Sequence, residues 1–178
     1  MTLSKIKVIL PNIENQSSAG SLIYQKILFL DIDGVLNSEE YYRNNLNTGK
    51  DFSRFDPSSV SLIKALVEEF SLKIVISSTW RYGAIDRLMH ELKRNKLLNY
   101  LYHDWFTPVI HPAHRGTEIK LWLDLHPEVA DYVIIDDDNN ILDEQKNNFV
   151  NTSLHSGMNN EHYNRVRAIF STVMSVQE

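Results

Sequence analysis

The 178-residue chain contains no cysteine. That absence excludes a disulfide-stapled scaffold, a zinc site built on thiolates and a cysteine nucleophile. Glycine and proline are scarce, at 6 and 5 residues, which excludes a collagen-like or low-complexity polymer. Long apolar runs are missing too. The first one spans only Val8 to Leu10, too short for the core of a secretory signal, and none approaches the ~20 residues of a membrane span. These absences lead us to expect a cytoplasmic protein with no membrane partner. A basic excess is also lacking: 18 Lys and Arg face 23 Asp and Glu, for a formal charge of −5. Modules that grip duplex nucleic acid electrostatically usually carry the opposite imbalance, although a local basic groove is compatible with this one. What is present, 43% hydrophobic and 23% charged residues, is the composition of one globular domain able to bury a core.

The apolar residues alternate between two patterns. Lys26 to Leu30, Lys73 to Ile76 and Tyr132 to Ile135 are short continuous runs, as expected of strands covered on both faces. Phe149 to Asn151 reads as a short fourth strand. Val60, Ile63, Leu66, Val67 and Phe70 recur at helical spacing behind an Asp56-Pro57 start. Further helices are predicted from about Ala84 to Arg94, from Arg115 to the stop at His126-Pro127, and from Glu161 to Val173. Ser38 to Phe55 reads as a long loop and Asn95 to His114 as an irregular segment. Residues 1–25 are expected to form an N-terminal strand or arm, and 26–178 the folded domain. This alternation predicts an α/β protein, a Rossmann-like three-layer sandwich with a mainly parallel sheet. In such sheets, sites form at the carboxyl ends of the strands.

Three of the buried strands end in chemically suggestive clusters. The first ends in Asp31-Ile32-Asp33-Gly34. Two carboxylates two residues apart can both reach one crevice, one to attack phosphorus and the other to protonate the leaving oxygen. Gly34 permits a sharp turn and close backbone approach. The third ends in Asp136-Asp137, adjacent acids that repel unless a cation lies between them and their neighbours. With Asp31 they make an oxygen-rich site suited to Mg2+. The second strand ends in Ser77, Ser78 and Thr79, whose hydroxyls and N–H groups suit a phosphate oxygen. Arg115 and Lys120, near the start of a later helix, each offer a cation to neutralise it.

The order of these clusters resembles the haloacid dehalogenase-like (HAD) superfamily, over about Lys26 to Val150. The resemblance implies that Asp31 is a nucleophile forming an aspartyl-phosphate and that Asp33 is first an acid and then a base. It implies a phosphate-binding serine, Ser78 or alternatively Ser77. It further implies Mg2+ held by Asp31, the backbone carbonyl of Asp33, Asp136 and Asp137. The family's phosphate-side cation is usually Lys, whereas here Arg115 stands at the helix start and Lys120 lies a turn further on. Phe55-Asp56-Pro57, the run from Ile74 to Arg81, Arg115 to Leu123, His126 to Val129 and Tyr132 to Asp137 resemble a narrower branch. That branch is the phage and bacterial HAD domain of Swiss Army knife RNA-repair proteins. It implies a phosphatase acting on nucleic-acid ends or nucleotides. Thr48-Gly49-Lys50 lacks the rest of a phosphate-binding kinase loop, so a kinase module is not expected within this chain.

Other residues invite weaker readings. Trp80 and Arg81 follow the serines, where a ring stacks on a base and a guanidinium meets a phosphate, or where both simply pack. His103, His111 and His114 invite a zinc reading, against which stands the lack of a third ligand at a recognisable spacing. Tyr41, Tyr42 and Arg43 line a substrate entrance or an amphipathic surface. Ser38–Phe55 and Asn95–His114 are too short for a large globular cap, which predicts a capless or minimally capped site. Three functions follow: a Mg2+-dependent phosphomonoester hydrolase, a phosphotransferase on the same fold, or a non-catalytic metal- or phosphate-binding module.

Overall fold

The computed structural model describes residues 25–46, 54–110 and 114–174. Its centre is strand β1 (Gln25–Leu30), whose residues Ile27 to Leu30 are wholly enclosed. A strand covered on both faces has no position for a polar side chain, which explains the unbroken apolar run. β1 pairs in parallel with β2 (Leu72–Ile76) on one side and β4 (Val129–Asp136) on the other. The edges are β3 (Leu101–Phe106) beside β2 and β5 (Phe149–Asn151) beside β4, giving the order β3-β2-β1-β4-β5 with every pair parallel.

Register decides where the site falls. Leu30 lies level with both Ile76 and Ile135. The next residue of each strand therefore emerges at one height, and the ladder continues through Asp31 N–H to Ile135 O (3.1 Å) and Ser77 N–H to Leu30 O (3.0 Å). The chain runs outward from β1 to β2 and β3, then returns across β1 to lay down β4 and β5. That reversal opens a crevice above the ends of β1 and β4.

Period-two alternation divides the core. Leu28, Leu30, Ile74, Ile76, Val133 and Ile135 face α2 (Pro57–Phe70), α4 (Ile85–Arg94) and α6 (Asn160–Met174). Ile27, Phe29, Val75 and Ile134 face α5 (Arg115–Asp124), where Trp122 meets Phe29 edge-on at 5.3 Å. The result is the expected three layers. Helix α2 begins as its sequence predicts, with Asp56 accepting from Ser58 N–H and Pro57 in the first turn. It ends at Ser71, in the left-handed region at φ 55°.

Two segments differ from their sequence reading. Ser38 to Phe55 is not all loop: α1 (Glu39–Asn45) occupies its start, capped by Ser38 accepting from Tyr41 N–H at 3.1 Å. None of its residues is buried, so it has no apolar stripe to read. Residues 47–53 of that stretch and 1–24 of the expected N-terminal arm lie outside the described residues. Asn95 to His114 contains a 3-10 turn, Leu98–Tyr100, followed by the edge strand β3. Its sequence, Leu-Tyr-His-Asp-Trp-Phe, buries only Tyr102, as one-sided cover of an edge allows. A four-residue helix, α3 (Trp80–Gly83), precedes α4. Among the described residues no helix is long and apolar enough to cross a membrane.

α5 sits where it does because of Gly116. A Cβ there would lie 2.5 Å from the Leu142 backbone nitrogen and 2.8 Å from Ile141 Cα. Gly116 N–H donates to Asn140 O (3.0 Å) and Gly116 O accepts from Gln145 Nε2 (2.8 Å). Gly116→Ala, which on an open helix gains about 0.5–1 kcal/mol, is expected here to cost about 1–3 kcal/mol, read as a lower urea midpoint. A stabilised variant would show that the helix is free to shift away.

Candidate active site

The turn after β1 is closed by three N–H groups, those of Val35, Leu36 and Asn37, on Ile32 O. Gly34 sits in it at φ +67°, and a side chain there would occupy the Asp137 carboxylate. This close approach brings the first and third acidic clusters together. Asp31, Asp136 and Asp137 each offer an oxygen, all within 4.8 Å of one another. Asp136 is fully buried and Asp31 is 5% exposed.

One guanidinium faces them. Arg115, the first residue of α5, places Nη2 3.4 Å from Asp31 Oδ1 and Nε 3.1 Å from Asp136 Oδ2. The second approach is out of line for a hydrogen bond. Asp136 Oδ2 and Arg115 Nη1 are both buried without a hydrogen-bond partner. One cation does not satisfy three acids. Burial pushes the Asp136 carboxyl up to about 7, and the neighbouring Asp31 charge adds to this. Burial likewise raises Asp31 against the pull of Arg115, and raises Asp137. Hard oxygen donors, a surplus of negative charge and an unpartnered buried carboxylate oxygen fit a small divalent cation such as Mg2+.

The second carboxylate of the first turn is held differently. Asp33 Oδ1 accepts from Asn37 Nδ2 (2.9 Å) and Oδ2 accepts from the Trp80 indole N–H (2.8 Å). The Ser78 side chain lies beside Asp31 and favours its charged form, and its Oγ accepts from Trp80 N–H (3.3 Å), whereas the Ser77 hydroxyl is enclosed and unpartnered. Ser78 is thus the serine at the acid cluster. Thr79 follows at the exposed start of α3.

Three expectations are corrected by geometry. Trp80 does not offer a stacking face: it is 9% exposed, packs on Phe55 and is covered by the Arg87 guanidinium, 5.2 Å from its ring centroid. Arg81 does not meet a phosphate. It is buried, and its donors go to Thr107 O (2.9 Å), Ser77 O (2.5 Å), Ser78 O (2.6 Å), Pro108 O (3.2 Å) and Glu118 Oε2 (2.6 Å). It clamps the serine turn to the segment just after β3 and to α5. Lys120 is not at the site. Five residues beyond Arg115, it lies ~140° around the helix and pairs with Asp124 on the exposed side at 2.9 Å.

Elsewhere, His103 lies tilted against Tyr102 in β3, their ring centroids 4.1 Å apart, and His111 lies outside the described residues. Among the described residues, Asp31, Asp136 and Asp137 form the only cluster of three or more metal-suited side chains. Tyr41, Tyr42 and Arg43 lie on α1, where Arg43 pairs with Glu39 on the surface. Three residues that shape the site carried no readable signal. Glu118 and Asn37 act through partners that only folding supplies, and Tyr82 stands at the rim of a cavity between α3 and α5.

A family model described as the HAD domain in Swiss Army Knife RNA repair proteins matches residues 27–163. The chain belongs to this family. The matched span of the HAD domain runs from β1 into α6 and includes every acid of the cluster. No curated protein and no solved structure matches it significantly.

Two measurements test this description. A buried cation removed from its partner leaves the other charge stranded, so Arg81→Met is expected to destabilise the domain by about 3–5 kcal/mol in urea unfolding. A cost below about 1 kcal/mol would show that the clamp is slack. The second measurement concerns pH. A carboxyl whose pKa is raised on folding binds its proton more tightly when folded. Asp136 therefore makes the metal-free domain lose stability as pH climbs from the ordinary 3.8 through about 7. Mg2+ should raise Tm more at about pH 8 than at about pH 5, and Asp136→Asn should abolish most of that difference. An equal Mg2+ effect at both pH values would remove Asp136 from the cation site.

Proposed function

We propose that this HAD domain is a Mg2+-dependent phosphomonoester hydrolase that works through an aspartyl-phosphate on Asp31. The observation that carries the reading is the pairing of carboxylates on one turn. Asp31 faces Ser78 and Arg115, while Asp33 is held apart by Asn37 and Trp80. Two carboxylates in distinct surroundings suit two distinct tasks.

In the first step an Asp31 oxygen attacks phosphorus, the bond to the leaving oxygen breaks, and Asp33 delivers a proton to that oxygen. In the second, Asp33 takes a proton from water as the water oxygen attacks phosphorus, and the bond to Asp31 breaks to release phosphate. Ser78 and Arg115 Nη1 supply donors for the non-bridging oxygens. Asp31, Asp136, Asp137 and the Asp33 backbone carbonyl would hold Mg2+, which supplies charge neutralisation for phosphate and nucleophile. Trp80 and Asn37 keep Asp33 oriented.

For the substrate we infer a phosphorylated nucleic-acid end or a nucleotide. Support comes from the family description, and from the described residues between β1 and α2 forming only the short helix α1 and no large cap. The cytoplasm is the setting this reading implies. The test is Asp31→Asn assayed on phosphorylated oligonucleotides, nucleotides and sugar phosphates with Mg2+. Turnover is expected to fall at least about a thousandfold with Tm preserved, because an amide nitrogen does not attack phosphorus. Activity near that of the unmodified protein would remove Asp31 as nucleophile.

A further inference from the structure

Trp80 joins the serine turn to the first acidic turn, because its indole N–H donates to Asp33 Oδ2 at 2.8 Å. We propose that Trp80 is the positioning residue for proton delivery, and that the site is built for esters of aliphatic hydroxyls, whose leaving oxygen needs a delivered proton. The proposal rests on the phosphatase reading above. It adds the residue on which the aim of Asp33 depends and the class of leaving group that follows.

The first observation is how Asp33 is held. Leu30 lies level with Ile76, so the residues just beyond β1 and β2 meet above the sheet. Trp80 then reaches one carboxyl oxygen of Asp33, and Asn37 Nδ2 donates to the other at 2.9 Å. Held at both oxygens, the carboxyl group loses the rotation about χ2 that is otherwise broad for Asp. The second observation is the chemistry of the donor. An indole N–H donates and never accepts, so Trp80 does not draw off the proton that Asp33 carries to the leaving oxygen. Both donors to Asp33 are neutral, in contrast to the guanidinium of Arg115 that faces Asp31. They fix a direction and bring no charge into the step.

The third observation is that Trp80 is itself fixed. Its ring packs against Phe55, with centroids 6.2 Å apart, and the Arg87 guanidinium lies 5.2 Å from its centroid. Its backbone N–H donates to Ser78 Oγ at 3.3 Å. The residue that aims the acid is therefore fastened to the serine beside the nucleophile, and the two turns keep one geometry. Misplacing a catalytic group by about 1 Å costs on the order of a hundredfold in rate. The cost falls on substrates according to the basicity of the leaving oxygen. A nitro-stabilised phenolate departs with little help, whereas a more basic oxyanion departs only with a proton.

The experiment measures kcat/KM of the full chain, with Mg2+, for phenyl phosphate and p-nitrophenyl phosphate. The two esters have the same ring and differ in the basicity of the leaving oxygen, and kcat/KM reports the step in which that oxygen leaves. Trp80→Phe keeps an aromatic ring and removes the N–H. It is expected to lower kcat/KM for phenyl phosphate about tenfold more than for p-nitrophenyl phosphate, and Asp33→Asn is expected to show the same selectivity. A role in packing alone would lower both equally. The second readout needs no turnover. The indole N–H resonance of Trp80, identified by its loss in Trp80→Phe, should move on Asp33→Asn in the metal-free protein more than those of the other tryptophans. An unmoved resonance overturns the proposal. So do equal losses for the two esters, or none, and if Asp31→Asn is inactive the phosphatase reading then stands. Turnover of both esters that survives Asp31→Asn overturns the phosphatase reading and the proposal with it.

Discussion

Among the described residues, three carboxylates share the end of a buried parallel sheet with a single guanidinium, and much of the nearby structure exists to hold that imbalance in place. Burial alone would protonate or expel such a group. The acids stay because the strands that carry them are locked in register by apolar residues on both faces. Gly34 removes the side chain that would separate the first turn from Asp137, and Gly116 lets α5 bring Arg115 close enough to touch two of the acids. The stored repulsion is what suits the site to a cation.

Residues adjacent in sequence divide the work unevenly. Ser78 touches the acid cluster, Thr79 faces the cavity, Trp80 turns back to hold Asp33, and Arg81 knits the turn to the segment just after β3 and to α5. Four consecutive side chains thus point at four different tasks within a single tight turn. The turn after β2 gathers into a few residues both the contact with the acid cluster and the bonds that hold the cluster's surroundings.

The sheet and its acids were legible in the sequence because their physics is local. A buried strand must be apolar throughout, so Ile27–Leu30 and Val133–Ile135 announce themselves, and so do the polar residues that end them. The edge strand β3 was not legible. With one face open, His103, Asp104 and Trp105 interrupt the pattern that marks a strand. Helix α1 was hidden for the related reason that it buries nothing. Arg115 and Lys120 stood as alternatives until the helix phase put one inside and the other outside. Trp80 and Arg81 stayed open between substrate contact and packing, because a ring and a guanidinium just after the serines suit either. What decided against substrate contact was the location of Asp33 and Glu118, 47 and 37 residues away along the chain, which no local pattern encodes.

The placement of β1 at the middle of the sheet bears on how the molecule comes into being. The strand is among the first described elements to leave the ribosome, yet Leu30 waits for Ile76 on one side and for Ile135 on the other. Partners that distant along the chain close large loops, the costly and slow part of folding. Until β4 is synthesised, the most apolar strand of the protein has one edge unsatisfied and Asp31 is without Asp136 and Asp137. The acid cluster is thus a late product of translation, and the nascent chain passes through a stage in which its central strand is a ready template for unwanted pairing.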